Sequence, residues 1–165
     1  MAKLIKKRSG KIGLPPGTFI HIGEKKTEKA RISFMDYDEM QIREKEVVSV
    51  GECIPFKDKN RSAVTWINVD GLHQVAIVEN LCKCFEVHHL TTEDILNTDH
   101  RPKIEEFEGY LCIVLKVFRY NSKENVLITE QVSLILGPNF VISFQENTGD
   151  VFGMIREQIR AGKGR

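Results

Sequence analysis

The chain has 165 residues, of which 41% are apolar and 28% charged, with a formal net charge of +1. That length allows one domain with a real core and is short for two, and the near balance of charge favours neither a nucleic-acid binder nor an acidic buffer. No stretch approaches the ~18–20 apolar residues that span a bilayer, and the basic opening runs into Gly and Pro instead of a signal-peptide core, so the chain read alone is expected to be soluble and cytoplasmic.

Residues 1–12 are Lys/Arg-rich and are expected to form a solvated, disordered tail. Gly13-Leu14-Pro15-Pro16-Gly17 is rich in turn formers. Two short strands, Thr18 to Ile22 and Ala30 to Met35, are expected around a polar loop. Asp36 to Glu46 is dense in charge and fits no single element, and Val47 to Val50 reads either as a short strand or as the end of that segment. Ala63 to Val69 is β-branched and aromatic, as strands are, with Trp66 expected in the core. Asp70 is the expected N-cap of a helix whose apolar stripe is Val75, Val78, Cys82 and Phe85. A second, short helix is expected from Thr91 to Asn97, ended by Arg101-Pro102-Lys103 because proline cannot donate a helix hydrogen bond.

The second half reads as a meander of strands: Lys103 to Phe107, Tyr110 to Tyr120, Val126 to Leu136 and Phe140 to Gln145. Gly137-Pro138-Asn139 supplies the tight turn between the last two. From Asp150 onward, Val151, Met154, Ile155 and Ile159 recur at helical spacing. Helices between and after antiparallel hairpins predict an α/β fold with a mixed sheet packed against helices.

Few constellations carry chemistry. Cys82, Cys84, His88 and His89 invite a zinc reading, but residues two apart on a helix point about 200° away from each other, and zinc sites use wider cysteine spacing. His88 and His89 are instead expected at a helix C-terminus, where the dipole favours them. All four cysteines (53, 82, 84 and 112) would stay reduced inside a cell. No nucleophile elbow, reactive-cysteine signature or phosphate-binding glycine loop is present, so no catalytic residue and no enzyme activity are expected. Glu105, Glu106 and Glu108 read as a solvated face, with an acidic surface that gathers divalent ions as the alternative. Glu93 and Asp94 leave two roles open. Thr91 with Asp94 fits a capping box at the positive end of a helix dipole, while an adjacent carboxylate pair also suits magnesium, a hard cation that takes only one or two carboxylates.

Several segments together resemble the CorA metal-ion transporters, in that family's order. They are Gly13-Leu14-Pro15-Pro16-Gly17-Thr18, Val64 to His73, Glu93-Asp94-Ile95-Leu96-Asn97 with Arg101-Pro102-Lys103, Glu130 to Leu136, Phe144-Gln145-Glu146, and Gly149-Asp150-Val151-Phe152. The resemblance implies an αβα sandwich with a mixed, largely antiparallel sheet flanked by helices, forming the N-terminal cytoplasmic domain of a homopentameric magnesium/cobalt transporter. Residues 13–165 are then expected to be that domain, ending before the family's long helix, membrane spans and Gly-Met-Asn signature.

By the same resemblance Glu93 and Asp94 are the metal ligands on this side of a subunit interface. They would hold a regulatory Mg2+, with Co2+ as an alternative occupant, and the facing acids would come from a neighbouring subunit. The implied role is sensing and gating at the cytoplasmic face of the membrane, with the membrane reached only through segments beyond Arg165 and no nucleic-acid partner. Two other readings stand beside it: the same fold in a zinc-transporting relative, and a stand-alone soluble α/β module with no transport role.

Overall fold

The computed structural model describes residues 14–163 apart from 16, 58–61 and 150. The basic tail of residues 1–12 therefore lies outside the described residues. Seven strands form one sheet: β1 (Arg31–Tyr37), β2 (Ile42–Val47), β3 (Val64–Asp70), β4 (Lys103–Phe107), β5 (Tyr110–Asn121), β6 (Val126–Leu136) and β7 (Phe140–Gln145). Their order across the sheet is β2-β1-β3-β7-β6-β5-β4. Every neighbouring pair is antiparallel except β3 and β7, which run parallel with Ile67 opposite Ile142. The sheet is thus mixed and largely antiparallel, as expected. Helices α1 (Val75–Cys84) and α2 (His89–Leu96) lie between β3 and β4 in sequence, and α3 (Gly153–Arg160) follows β7.

The period-2 alternation of strand side chains divides the sheet into two faces. One face carries Ile32, Phe34, Ile67, Val69, Cys112, Val114, Ile135, Ile142 and Phe144, and packs with Val78, Leu81 and Cys82 of α1 and Ile95 and Leu96 of α2 into the main core. Ile67, Val78, Leu81, Ile95, Leu96, Ile135 and Phe144 are all inaccessible to solvent. A 3-10 helix, Val50–Lys57, covers the β1 end, where the Phe56 ring packs tilted against Phe34 with centroids 4.6 Å apart. The charged segment that fitted no element resolves into β2, an edge strand whose exposed Glu and Lys side chains deter further strand pairing.

The opposite face carries a smaller core of Met35, Trp66 and Ile159 under α3. Trp66 is a core residue, with its indole N–H donating to Ser143 Oγ at 2.9 Å. Beside it, Asn68 Oδ1 accepts from Ser143 Oγ at 2.6 Å and from Gln145 Nε2 at 2.8 Å, so polar rungs cross the parallel β3–β7 pair. Over β4–β6 this face is largely uncovered, and Leu111, Ile113, Leu115, Leu134 and Leu136 are half-buried.

Several expectations outside α2 need correction. Thr18 to Ile22 forms no strand; Ile22 makes one isolated parallel bridge to Asn97, because its backbone closes the end of α2 instead of joining the sheet. Asp70 does not cap α1. It is the last residue of β3 and accepts from Asn68 Nδ2, while the α1 N-cap is Gln74, with no side-chain cap bond. Val47 ends β2, and Val50 belongs to the 3-10 helix. In α3 only Ile159 is buried, and Met154 is 78% exposed, so the stripe read there is narrower than its spacing suggested.

Candidate metal-binding site

The sequence around α2 folds as it does because its start is fixed by an imidazole. His88 is the N-cap, its Nδ1 accepting from the Leu90 N–H at 3.3 Å. The pair His88-His89 thus opens α2 instead of closing a helix, which corrects the dipole reading. Thr91, expected as the cap, lies inside the helix, fully buried, with its hydroxyl 3.2 Å from the Tyr110 hydroxyl on β5. The Tyr110 hydroxyl also accepts from His88 N–H at 3.0 Å. One phenol therefore anchors the first turn of α2 to the sheet.

This one-turn shift moves the acidic pair. Asp94 is the sixth of eight residues in α2, so it sits toward the negative end of the helix dipole, where a carboxylate is disfavoured. The capping-box reading of Thr91 with Asp94 does not hold. Compensation comes from the chain that follows. Pro102 stops the backbone and Lys103 begins β4, sending its ammonium to Asp94 Oδ2 at 2.6 Å and to Glu105 Oε2 at 2.6 Å. His100 Nε2 lies 3.0 Å from Asp94 Oδ1. Burial works against the Lys103 charge, but the hydrogen bonds it donates to Asp94 and Glu105 outweigh it and raise its pKa above the ordinary lysine value.

The end of α2 is closed from three sides. Asn97 N–H donates to Glu93 O at 3.0 Å, Ile22 N–H donates to Leu96 O at 2.9 Å, and Gln131 Nε2 donates to Asp94 O at 3.1 Å. Gln131 is fully buried in β6, so a strand side chain does the work of a helix cap. Its own N–H donates to Glu146 Oε1 at 2.6 Å, and Glu146 pairs with Lys26 at 2.8 Å. The residues that hold Asp94 in place (Lys103, His100 and Gln131) carried no individual signal. The breaker Arg101-Pro102-Lys103 and the Glu130-Gln131 segment were visible as punctuation and strand only.

Glu93 and Asp94 are adjacent, and the Asp94 side chain is 19% exposed. Hard oxygen donors of this kind suit magnesium, which keeps several waters and needs one or two carboxylates. Among the described residues no three His, Cys, Asp or Glu side chains converge as a complete metal site. Glu93 and Asp94 supply oxygen donors of the right chemistry for such an ion, and they do not by themselves complete a site. Glu105 joins this cluster through Lys103, while Glu106 lies exposed on the other face of β4. Cys82 is buried against Thr92, and Cys84 is only partly buried at the end of α1, so the two thiols face different surroundings.

Residues 61–165 match the family described as CorA-like Mg2+ transporter protein. The chain is 45% identical over 159 residues to the cobalt/magnesium transport protein CorA of Thermotoga maritima, covering 96% of this chain and 44% of that protein. It thus spans less than half the length of this curated relative. Among solved structures, full-length CmaX superposes with a TM-score of 0.65 at 15% identity, covering 86% of this chain and 42% of that one. The cytoplasmic domain of ZntB from Vibrio parahaemolyticus gives 0.52 at 14% identity, covering 79% and 50%. At such identities these structures establish a shared fold and nothing finer. Among the described residues no helix is long and apolar enough to cross a membrane.

Proposed function

The chain belongs to the CorA-like Mg2+ transporter family, and on that premise we propose that it is the cytoplasmic domain that senses divalent cations and gates a magnesium/cobalt transporter. Glu93 and Asp94 serve as one side of a regulatory Mg2+ site, which Co2+ can also fill. A neighbouring subunit of a homopentamer supplies the facing carboxylates. The bound ion neutralises these acids and holds adjacent domains together. When cytoplasmic Mg2+ falls, the site empties, like charges repel, and the subunits part. The ion acts by binding the assembled, closed arrangement better than the open one. The chain itself carries out no catalysis.

The observation that supports this reading is the placement of Asp94. It sits half-buried where the helix dipole disfavours a carboxylate, next to Glu93 and linked through Lys103 to Glu105, in a cluster rich in oxygen donors. Titrating the chain with Mg2+, and with Co2+ as a paramagnetic probe, while following backbone amide signals tests the assignment. Shifts and broadening centred on residues 93–94, abolished by Asp94→Asn, are expected. Signals there that ignore both ions, or an Asp94→Asn variant that responds like the parent, would count against it.

A further inference from the structure

We propose that Lys103 is a tethered counter-cation for Asp94, occupying the carboxylate when no metal is bound, so that a divalent ion enters by displacing its ammonium group. The exchange sets the ion concentration at which the site responds. This inference rests on the reading of Asp94 as a metal ligand.

The geometry makes the exchange workable. The Lys103 ammonium bridges two carboxylates, Asp94 Oδ2 and Glu105 Oε2, each at 2.6 Å. When a metal takes Asp94, the amine keeps a partner in Glu105, whose side chain is 43% exposed and able to follow it. The lysine stem is anchored at the start of β4, with Lys103 opposite Val114 of β5, so the charge cannot diffuse away. A cation held at fixed range competes with a free ion at every concentration, as an intramolecular ligand does. It also relieves the unfavourable helix-end position of Asp94 in the empty state, which keeps α2 intact whether or not metal is present. A lysine suits this role better than an arginine fork, being a compact point charge on a flexible stem that releases one contact at a time.

The test compares Mg2+ binding by the chain and its Lys103→Gln, Lys103→Arg and Asp94→Asn variants, and by the double variant Lys103→Gln/Asp94→Asn. Lys103→Gln is expected to tighten Mg2+ binding roughly threefold to fivefold, the scale of one partly exposed ion pair. Lys103→Arg, which keeps the charge, should not tighten it, and the gain should vanish when Asp94 is Asn. A second readout needs no variant. Mg2+ should raise the rate at which an acetylating reagent modifies Lys103, relative to the exposed Lys83. If Asp94→Asn weakens binding while Lys103→Gln changes nothing and Lys103 acetylation ignores Mg2+, the counter-cation is overturned and the metal ligand stands. If Asp94→Asn leaves Mg2+ binding as it was, the metal ligand falls and the counter-cation with it.

Discussion

Gln131 reaches from the middle of β6 to donate its side-chain amide to the backbone carbonyl of Asp94 at 3.1 Å. Replacing it by Leu keeps the volume but removes the side-chain donor shared by the carbonyls of residues 94 and 95, of which the first keeps the Asn97 N–H at 3.3 Å. The expected loss is about 1 kcal/mol of stability, the scale of one hydrogen bond. A lower urea midpoint with an unchanged slope would show it. A midpoint equal to that of the parent would mean that α2 closes without this cap.

A second polar contact lies one residue back on β6. Glu130 is 1% exposed and its Oε2 pairs with the Arg119 guanidinium at 2.5 Å. Arg119 is itself 41% exposed, so the pair is partly screened. Arg119→Ala should cost about 1–3 kcal/mol, less than for a fully buried pair, because a buried carboxylate loses its partner. Glu130→Gln in the same background should recover part of that loss. A Cβ at Gly149 would fall 2.2 Å from the guanidinium, so Gly149→Ala should push Arg119 aside and cost little more once Arg119 is already Ala. Additive losses in this pair of positions would refute the coupling.

Histidine 21 gives stability a pH dependence. Burial lowers its pKa from 6.5, opposed by the nearby Glu146 carboxylate and aided by His73 and Lys26. With the folded value below the unfolded one, the unfolded chain binds more protons in the window beneath 6.5, so stability falls as pH drops through it. His21→Asn should flatten that part of the profile. Equal slopes for parent and variant in denaturation series from pH 7 to about pH 5 would exclude this origin.

Thiol reactivity should separate the cysteines. Burial pushes Cys82 up to about 12 and Cys53 and Cys112 up to about 11. Cys84 is partly exposed. At pH 8 an aromatic disulfide reagent should modify Cys84 at least about tenfold faster than the others, which wait for unfolding. Four equal rates in the native protein would contradict the placement of these side chains.

The sheet was more legible than the site. The bounds of β4, β6 and β7 follow directly from alternating apolar residues and the turn at Gly137-Pro138-Asn139. What went unread depended on partners distant in sequence. The start of α2 was misplaced because the cap is an imidazole, outside the usual Ser, Thr, Asp and Asn set. Met154 and Ile155 have core spacing but face outward, since α3 covers only the β1–β3–β7 side. The acidic pair was visible, yet its surroundings were not. His100 meets Asp94 from the loop after α2, Lys103 only after Pro102 turns the chain, and Gln131 arrives from three strands later.

The single parallel pairing has a kinetic consequence. β1, β2 and β3 can zip together by local antiparallel contacts, and so can β4 through β7. Joining β3 to β7 must wait until both helices and three strands of intervening chain have closed as a loop, the slowest kind of contact to form. The seam at Ile67 and Ile142 is therefore where assembly of the two halves is decided. A truncation such as Ile142→Val should slow refolding more than it speeds unfolding, while an equivalent change at Val47 on the edge should do the reverse. Stopped-flow rates for the two variants would read out the order in which this sheet is built.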